Sequence, residues 1–218
     1  NVMIVAKNSV DKSASATGIY LNPGADVSVL GERISITAIN EYEDASSRAI
    51  EFGVANGHNQ SKLVLGDTNT KTIDIVSHSK GEAIGIFVSG GVGVSQNAHA
   101  QINGGMLNVN VRGDSNGKLV SGIHVANNTA NETMPGSGAV LEINADKTMI
   151  KSNGIGVSAY SNGTLKVKGD LAVEAATAVS ARGYSKIEIN KDKQNTVQLK
   201  GNVEFNYDSA SSGTPIEA

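Results

Sequence analysis

Residues 154–177 read GIGVSAYSNGTLKVKGDLAVEAAT, and how this stretch is read decides the fold. Apolar and polar side chains alternate in three short runs, centred on Ile155 and Val157, on Leu165 and Val167, and on Leu171 and Val173. Ser161-Asn162-Gly163 and Lys168-Gly169 separate the runs, and these are residues that favour bends. Alternation with period two describes strands with one buried face, whereas a helix needs apolar spacings of three and four. A unit this small has no second layer to cover its apolar face. It must stack on copies of itself.

The copies are present. A small residue followed by an aliphatic one recurs at Gly18-Ile19, Ala49-Ile50, Gly85-Ile86, Gly122-Ile123, Gly154-Ile155 and Ala178-Val179, which marks six units. A second run follows in each, at Val27/Val29, Leu63/Leu65, Ile102, Leu141/Ile143, Leu165/Val167 and Val197/Leu199. A third closes it, at Ile34/Ile36, Ile73/Ile75, Leu107/Val109/Val111, Met149, Leu171/Val173 and Val203/Phe205. The expected fold is all-β: a right-handed parallel β-helix over residues 1–205, with about six rungs of three short strands and inserted loops, then a polar tail over 206–218. A propeller needs four antiparallel strands per blade and tight hairpins, and neither is visible here.

Composition agrees with a thin core. Among 218 residues there are 25 Gly, 3 Pro, no Trp and no Cys, and aromatics make up 4%, so the interior must be built from Val, Ile, Leu and Ala. The absence of Cys removes disulfides and thiolate chemistry. A net charge of −3 with interspersed signs offers no basic stripe, which argues against a nucleic-acid partner. No apolar run reaches the length of a spanning helix. The polar ending SASSGTPIEA reads as a linker, and the chain as an excised piece whose secretion signal lies elsewhere.

Counting from Leu141 to Leu165 sets Asp146 over Asp170, within a bend column of Glu32, Asp67, Gly105, Asp146, Asp170 and Asn202. Neighbouring units lie roughly 4.8 Å apart, so these two carboxylates form a weak candidate pair for a shared proton or a hard cation. Gly-Asp is equally what a bend asks for, and no third carboxylate or positioned His accompanies the pair. His58, His78, His99 and His124 stand in unrelated contexts and are expected to face solvent. No cofactor is expected, and the chain is not expected to be an enzyme. A carbohydrate-active β-helix, a lyase or hydrolase working through Asp146 and Asp170, stays open as an alternative, as does a structural spacer.

Two surface features stand out. Arg112-Gly113-Asp114 follows Val111 and is expected in a loop between units, where an integrin-type receptor could engage the guanidinium and, through a metal, the carboxylate. The same residues, continued by Ser115-Asn116-Gly117, also make a turn in their own right. The insertion from Ala126 to Val140 places Asn127, Asn128, Asn131 and Glu132 in a long polar loop, either a ligand-contacting projection or a tolerated insertion. Tyr160 and Tyr184, 24 residues apart, are expected to stack on successive units.

Gly-rich, Cys-free, aromatic-poor units of the type GIGVSAYSNGTLKVKG, with Asn, Ser and Thr in the turns, resemble the passenger region of bacterial autotransporters of the type V pathway, in the style of pertactin-like and antigen 43-like adhesins. The resemblance covers nearly the whole chain. It implies secretion through the outer membrane of a bacterium to the cell surface, with membrane attachment only through a C-terminal β-barrel absent from this segment. It also implies adhesion or biofilm formation with a host-cell receptor, an extracellular-matrix component, a glycan or a second copy as partner. Pertactin-like passengers carry the Arg-Gly-Asp tripeptide too. No nucleophile motif of the serine-protease members is present.

Overall fold

Each alternating run forms a strand because its apolar side chains can all reach one face at period two. The computed structural model describes residues 1–11, 13–42, 45–53, 60–90, 98–114, 117–127, 138–183, 185–190 and 195–206. Fifteen strands occupy these residues. They are β1 (Val2–Asn8), β2 (Ala16–Leu21), β3 (Asp26–Val29), β4 (Arg33–Asn40) and β5 (Ser47–Gly53). Next come β6 (Ser61–Leu65), β7 (Thr72–Ser79), β8 (Ala83–Gly90), β9 (Ala98–Gly113) and β10 (Val120–Asn127). The last are β11 (Ala139–Tyr160), β12 (Thr164–Val167), β13 (Asp170–Arg182), β14 (Lys186–Ile189) and β15 (Val197–Asn206). The described residues contain no helix.

All strands belong to one sheet and all the pairings are parallel. The pairing sorts them into three columns. First strands run from β2 through β5, β8 and β10 to the closing parts of β11, β13 and β15. Second strands run from β3 through β6 and the starts of β9 and β11 to β12 and β14. Third strands run from β1 through β4, β7, the end of β9 and the middle of β11 to the starts of β13 and β15. Six complete units result, as the sequence predicts, with a further third strand before them and a further first strand after.

The core is a stack of aliphatic rows. Ile34, Ile73, Leu107, Leu171 and Val197 share one register position, with Thr148 in place of an aliphatic in the fourth unit. Leu63, Leu141 and Leu165 occupy another, with Ala100 between the first two. Phe52 is the bulkiest fully buried side chain. Small residues keep the first column narrow: a Cβ on Gly122 would meet Ile150 Cγ2 at 2.5 Å and the Gly156 carbonyl oxygen at 2.6 Å.

Four register assignments change. Ile123 pairs with Val157, and Ile155 pairs with Ser121, so the fifth unit begins two residues later than Gly154-Ile155. Its GIG sequence offers the small-aliphatic pattern twice, and the second copy takes the core position. The second strand of the sixth unit is Ile187/Ile189, which moves Val197/Leu199 to the third column and Val203/Phe205 to the next first strand. In the fourth unit Thr148 and Ile150 face the core and Met149 does not. The fourth is the bend column: Lys147, not Asp146, lies beside Asp170, and Asn202 pairs with Thr177. At the proposed domain boundary, β15 runs one residue past Phe205, and residues 207–218 lie outside the described residues.

Because Leu141 is fully buried between Ala100 and Leu165, Leu141→Ala is expected to cost about 2–5 kcal/mol in a urea titration. A loss below about 1 kcal/mol would mean that this row is not a packed core.

Candidate functional site

The corner after β1, β4 and β7 is built from short polar side chains. Asn8, Asn40, Ser79 and Gly113 share one register position. Asn8 Nδ2 donates to the carbonyls of Asp11 and Ala14, Asn40 Nδ2 to those of Ala14 and Ser46, and Ser79 Oγ to that of Ala45. Each thus ties loop carbonyls to the end of a strand. Gly113 has no side chain to contribute, and the next unit supplies one: Asn153 Oδ1 accepts from the Gly113 N–H at 3.0 Å, while Asn153 Nδ2 donates to the Gly113 carbonyl. A Cβ on Gly113 would meet Val120 Cγ2 at 2.6 Å.

The tripeptide is therefore a corner piece rather than a free loop tip. Arg112 and Gly113 are the last residues of β9, and only Asp114 lies beyond it. Arg112 and Asp114 are exposed and flank the buried Gly113, so their backbone positions lie roughly 7 Å apart with both side chains outward. That spacing suits one receptor engaging both charges. His78 stands beside Arg112 in register, and burial together with that guanidinium lowers its pKa.

The other predicted residues do not converge. Asn127 closes β10 and pairs with Gly90, while Asn128, Asn131 and Glu132 lie outside the described residues, as do His58 and Tyr184. Between Ile143 and Lys147 the fourth unit has three residues where the fifth, between Val167 and Asp170, has two, and this slip separates the acid pair. Asp170 Oδ1 instead accepts from the Thr196 N–H at 2.8 Å. Among the described residues no three His, Cys, Asp or Glu side chains gather as a metal site. His99 Nε2 lies 3.6 Å from Glu142, whose carboxyl Lys166 holds below its usual range through a hydrogen bond.

Sequence reasoning missed a row of side chains along the first-strand column. Arg48 is held by Glu82 and Glu51 and lies over the Phe87 ring at 5.0 Å. Phe87 stacks on His124 at 5.4 Å, His124 meets Tyr160 edge-on at 5.0 Å, and Arg182 covers Tyr160 at 5.1 Å. His124 is buried, contrary to the solvent-facing position expected of it, and its Nδ1 lies 2.7 Å from Ser158 Oγ. Ser158 Oγ also lies 3.1 Å from the Ile123 carbonyl, so the ring is anchored to the strand beside it. These contacts run from unit to unit, so the row braces the column. Its signal was the equal spacing of Phe87 and His124 after Ile86 and Ile123; Tyr160 carries no such signal, because it pairs with Ala126 and reaches His124 from two residues along the strand.

Comparison with protein-family models, with curated proteins and with solved structures found no match for this chain.

Burial, and secondarily Arg48, lowers the His124 pKa from 6.5 to about 4. A folded pKa below the unfolded one gives stability that is complete above pH 6.5 and is lost as pH falls toward 4. The full loss amounts to about 3 kcal/mol. Unfolding titrations at pH 7 and pH 4 should show a smaller acid loss for His124→Gln than for the parent chain. Equal losses would remove His124 as the cause.

Proposed function

We propose that this chain is a right-handed parallel β-helical segment of a bacterial cell-surface adhesin of the autotransporter kind, which holds its partner by outer faces and corners and catalyses no reaction. The observation carrying this reading is the parallel register, which repeats outward positions from unit to unit and turns them into rows. Glu142 meets Lys166 at 2.9 Å, Asn108 donates to Asp74 at 2.7 Å, and Glu174 pairs with both Lys151 and Lys200. All of these pairs link residues that share a register position, at half-buried or exposed side chains. Such rows form a firm surface on which many weak contacts repeat, so attachment strength comes from multiplicity. The enzyme alternative rests on Asp146 and Asp170, which lie on neighbouring units one residue out of register.

Within this reading the Arg112–Asp114 corner is a receptor contact, and the host surface, a matrix component, a glycan or a second copy are the partner classes. The test is adhesion of the purified chain to immobilised integrins, mammalian cells and itself, with and without divalent cations. Asp114→Glu moves an exposed carboxylate outward and leaves the Gly113 clamp in place, so cation-dependent integrin binding should drop at least tenfold with unfolding unchanged. Integrin binding insensitive to this change would remove the corner from the contact. Absence of binding to every surface and to itself would refute the adhesin reading.

A further inference from the structure

Between the second and third strands the corner changes from unit to unit. In the second unit the chain leaves β6 and loops through Gly66 to Lys71 before β7 begins. In the third unit β9 passes the same corner without a loop, with Gly104 and Gly105 at the bend. Gly104 has φ of 146°, and a Cβ there would meet the Thr70 carbonyl oxygen at 2.8 Å. A protruding loop thus stands beside a corner that has no side chains. The result is a groove of about 970 Å³, lined by Asp67, Thr70, Asn103, Asn144 and Asp146 with Leu30 at its edge.

Hydrogen bonding gives the groove a definite polarity. Asn103 Nδ2 donates to the Gly66 carbonyl at 3.3 Å, and a carbonyl can only accept, so Asn103 Oδ1 must face Asn144. Asn144 Nδ2 donates to that oxygen at 3.0 Å. The amide ladder therefore ends on Asn144 Oδ1, a buried acceptor with no partner, and a buried acceptor left unpaired is costly. Asp67 and Asp146 add carboxylate acceptors. The nearby cation, Lys71, is taken up by Glu32. On the groove floor β9 and β11 pair with each other, Asn103 with Asn144 and Gly104 with Ala145.

We propose that this groove binds an uncharged, hydroxyl-rich saccharide, whose hydroxyls donate to the carboxylates of Asp67 and Asp146 while its C–H face lies on Leu30, which is 52% exposed. The proposal rests on the surface-binding reading and deepens it by naming site and ligand class. An acidic polysaccharide is disfavoured because it would bring its own negative charge to Asp67 and Asp146 with Lys71 already paired.

The experiment is calorimetric titration of the whole chain with cellohexaose, chitohexaose and a linear mannan, against heparin and polygalacturonate, with calcium chloride and spermidine as cation probes. Two variants accompany it: Thr68→Trp, which plugs the groove from an exposed position on its rim, and Asp146→Lys, which reverses one wall's charge. At least one neutral oligosaccharide should bind, at least tenfold more weakly to either variant, with the urea midpoint of Thr68→Trp unchanged. Failure of all three to bind, equal binding to the plugged variant, preference for heparin or polygalacturonate, or binding of the cations alone would each overturn the proposal. Cell adhesion that survives plugging would leave the adhesin reading standing while the groove is judged by its saccharides. Saccharide binding without any adhesion would do the reverse.

Discussion

Everything in this chain depends on main-chain pairing between like strands of successive units. A unit of three short strands contributes a handful of inward aliphatics and cannot hold itself together, so ladder and core form only as units stack. Parallel register stacks each inward position on its counterparts in the neighbouring units. Ile and Leu repeat along one row, small residues along the first column, and the hydroxyl of Thr148 enters the core as a buried group without a partner. The same register aligns outward positions. That the exterior is a set of rows is a consequence of the rule that builds the interior.

Corners escape this rule, and the individuality of the chain gathers there. At the corner after the third strands, Asn8, Asn40 and Ser79 tie down loop carbonyls; where Gly113 has no side chain, Asn153 reaches over from the next unit. At the corner after the second strands, a loop beside a pair of glycines makes a concavity that no single unit contains. The first-strand column has its own exception in the row from Arg48 to Arg182, where two guanidinium groups close a stack of three rings. Unpaired backbone and unequal loop lengths are the physical reasons these places differ.

The repeating part of the fold was legible in the sequence because alternation and the small-aliphatic pair are local signals. Strand columns, unit number and most core positions follow from them. Register was harder, since period-two patterns slide by two residues without changing face. Gly154-Ile155 and Gly156-Val157 both satisfy the pattern, and only the neighbouring strands decide between them. Short runs such as Ile187/Ile189 are easily passed over beside the longer Val197/Leu199. Asp146 and Asp170 were set together by counting, and one extra corner residue undid that count. The groove needs four units in register before it exists, so no single stretch of sequence announces it.

Register is also where the account is most exposed to a direct test. Glu142 and Lys166 are register partners on outward positions, with backbones roughly 4.8 Å apart, inside the distance range of a disulfide. The chain contains no cysteine, so paired substitutions report without background. Oxidation of the Glu142→Cys/Lys166→Cys variant is predicted to close a disulfide quickly and nearly completely. The Glu142→Cys/Thr164→Cys variant, shifted by two residues to roughly 8 Å, is predicted to stay reduced. Rapid closure of the shifted pair with failure of the first would contradict the parallel register, and with it the outer rows and the groove built upon them.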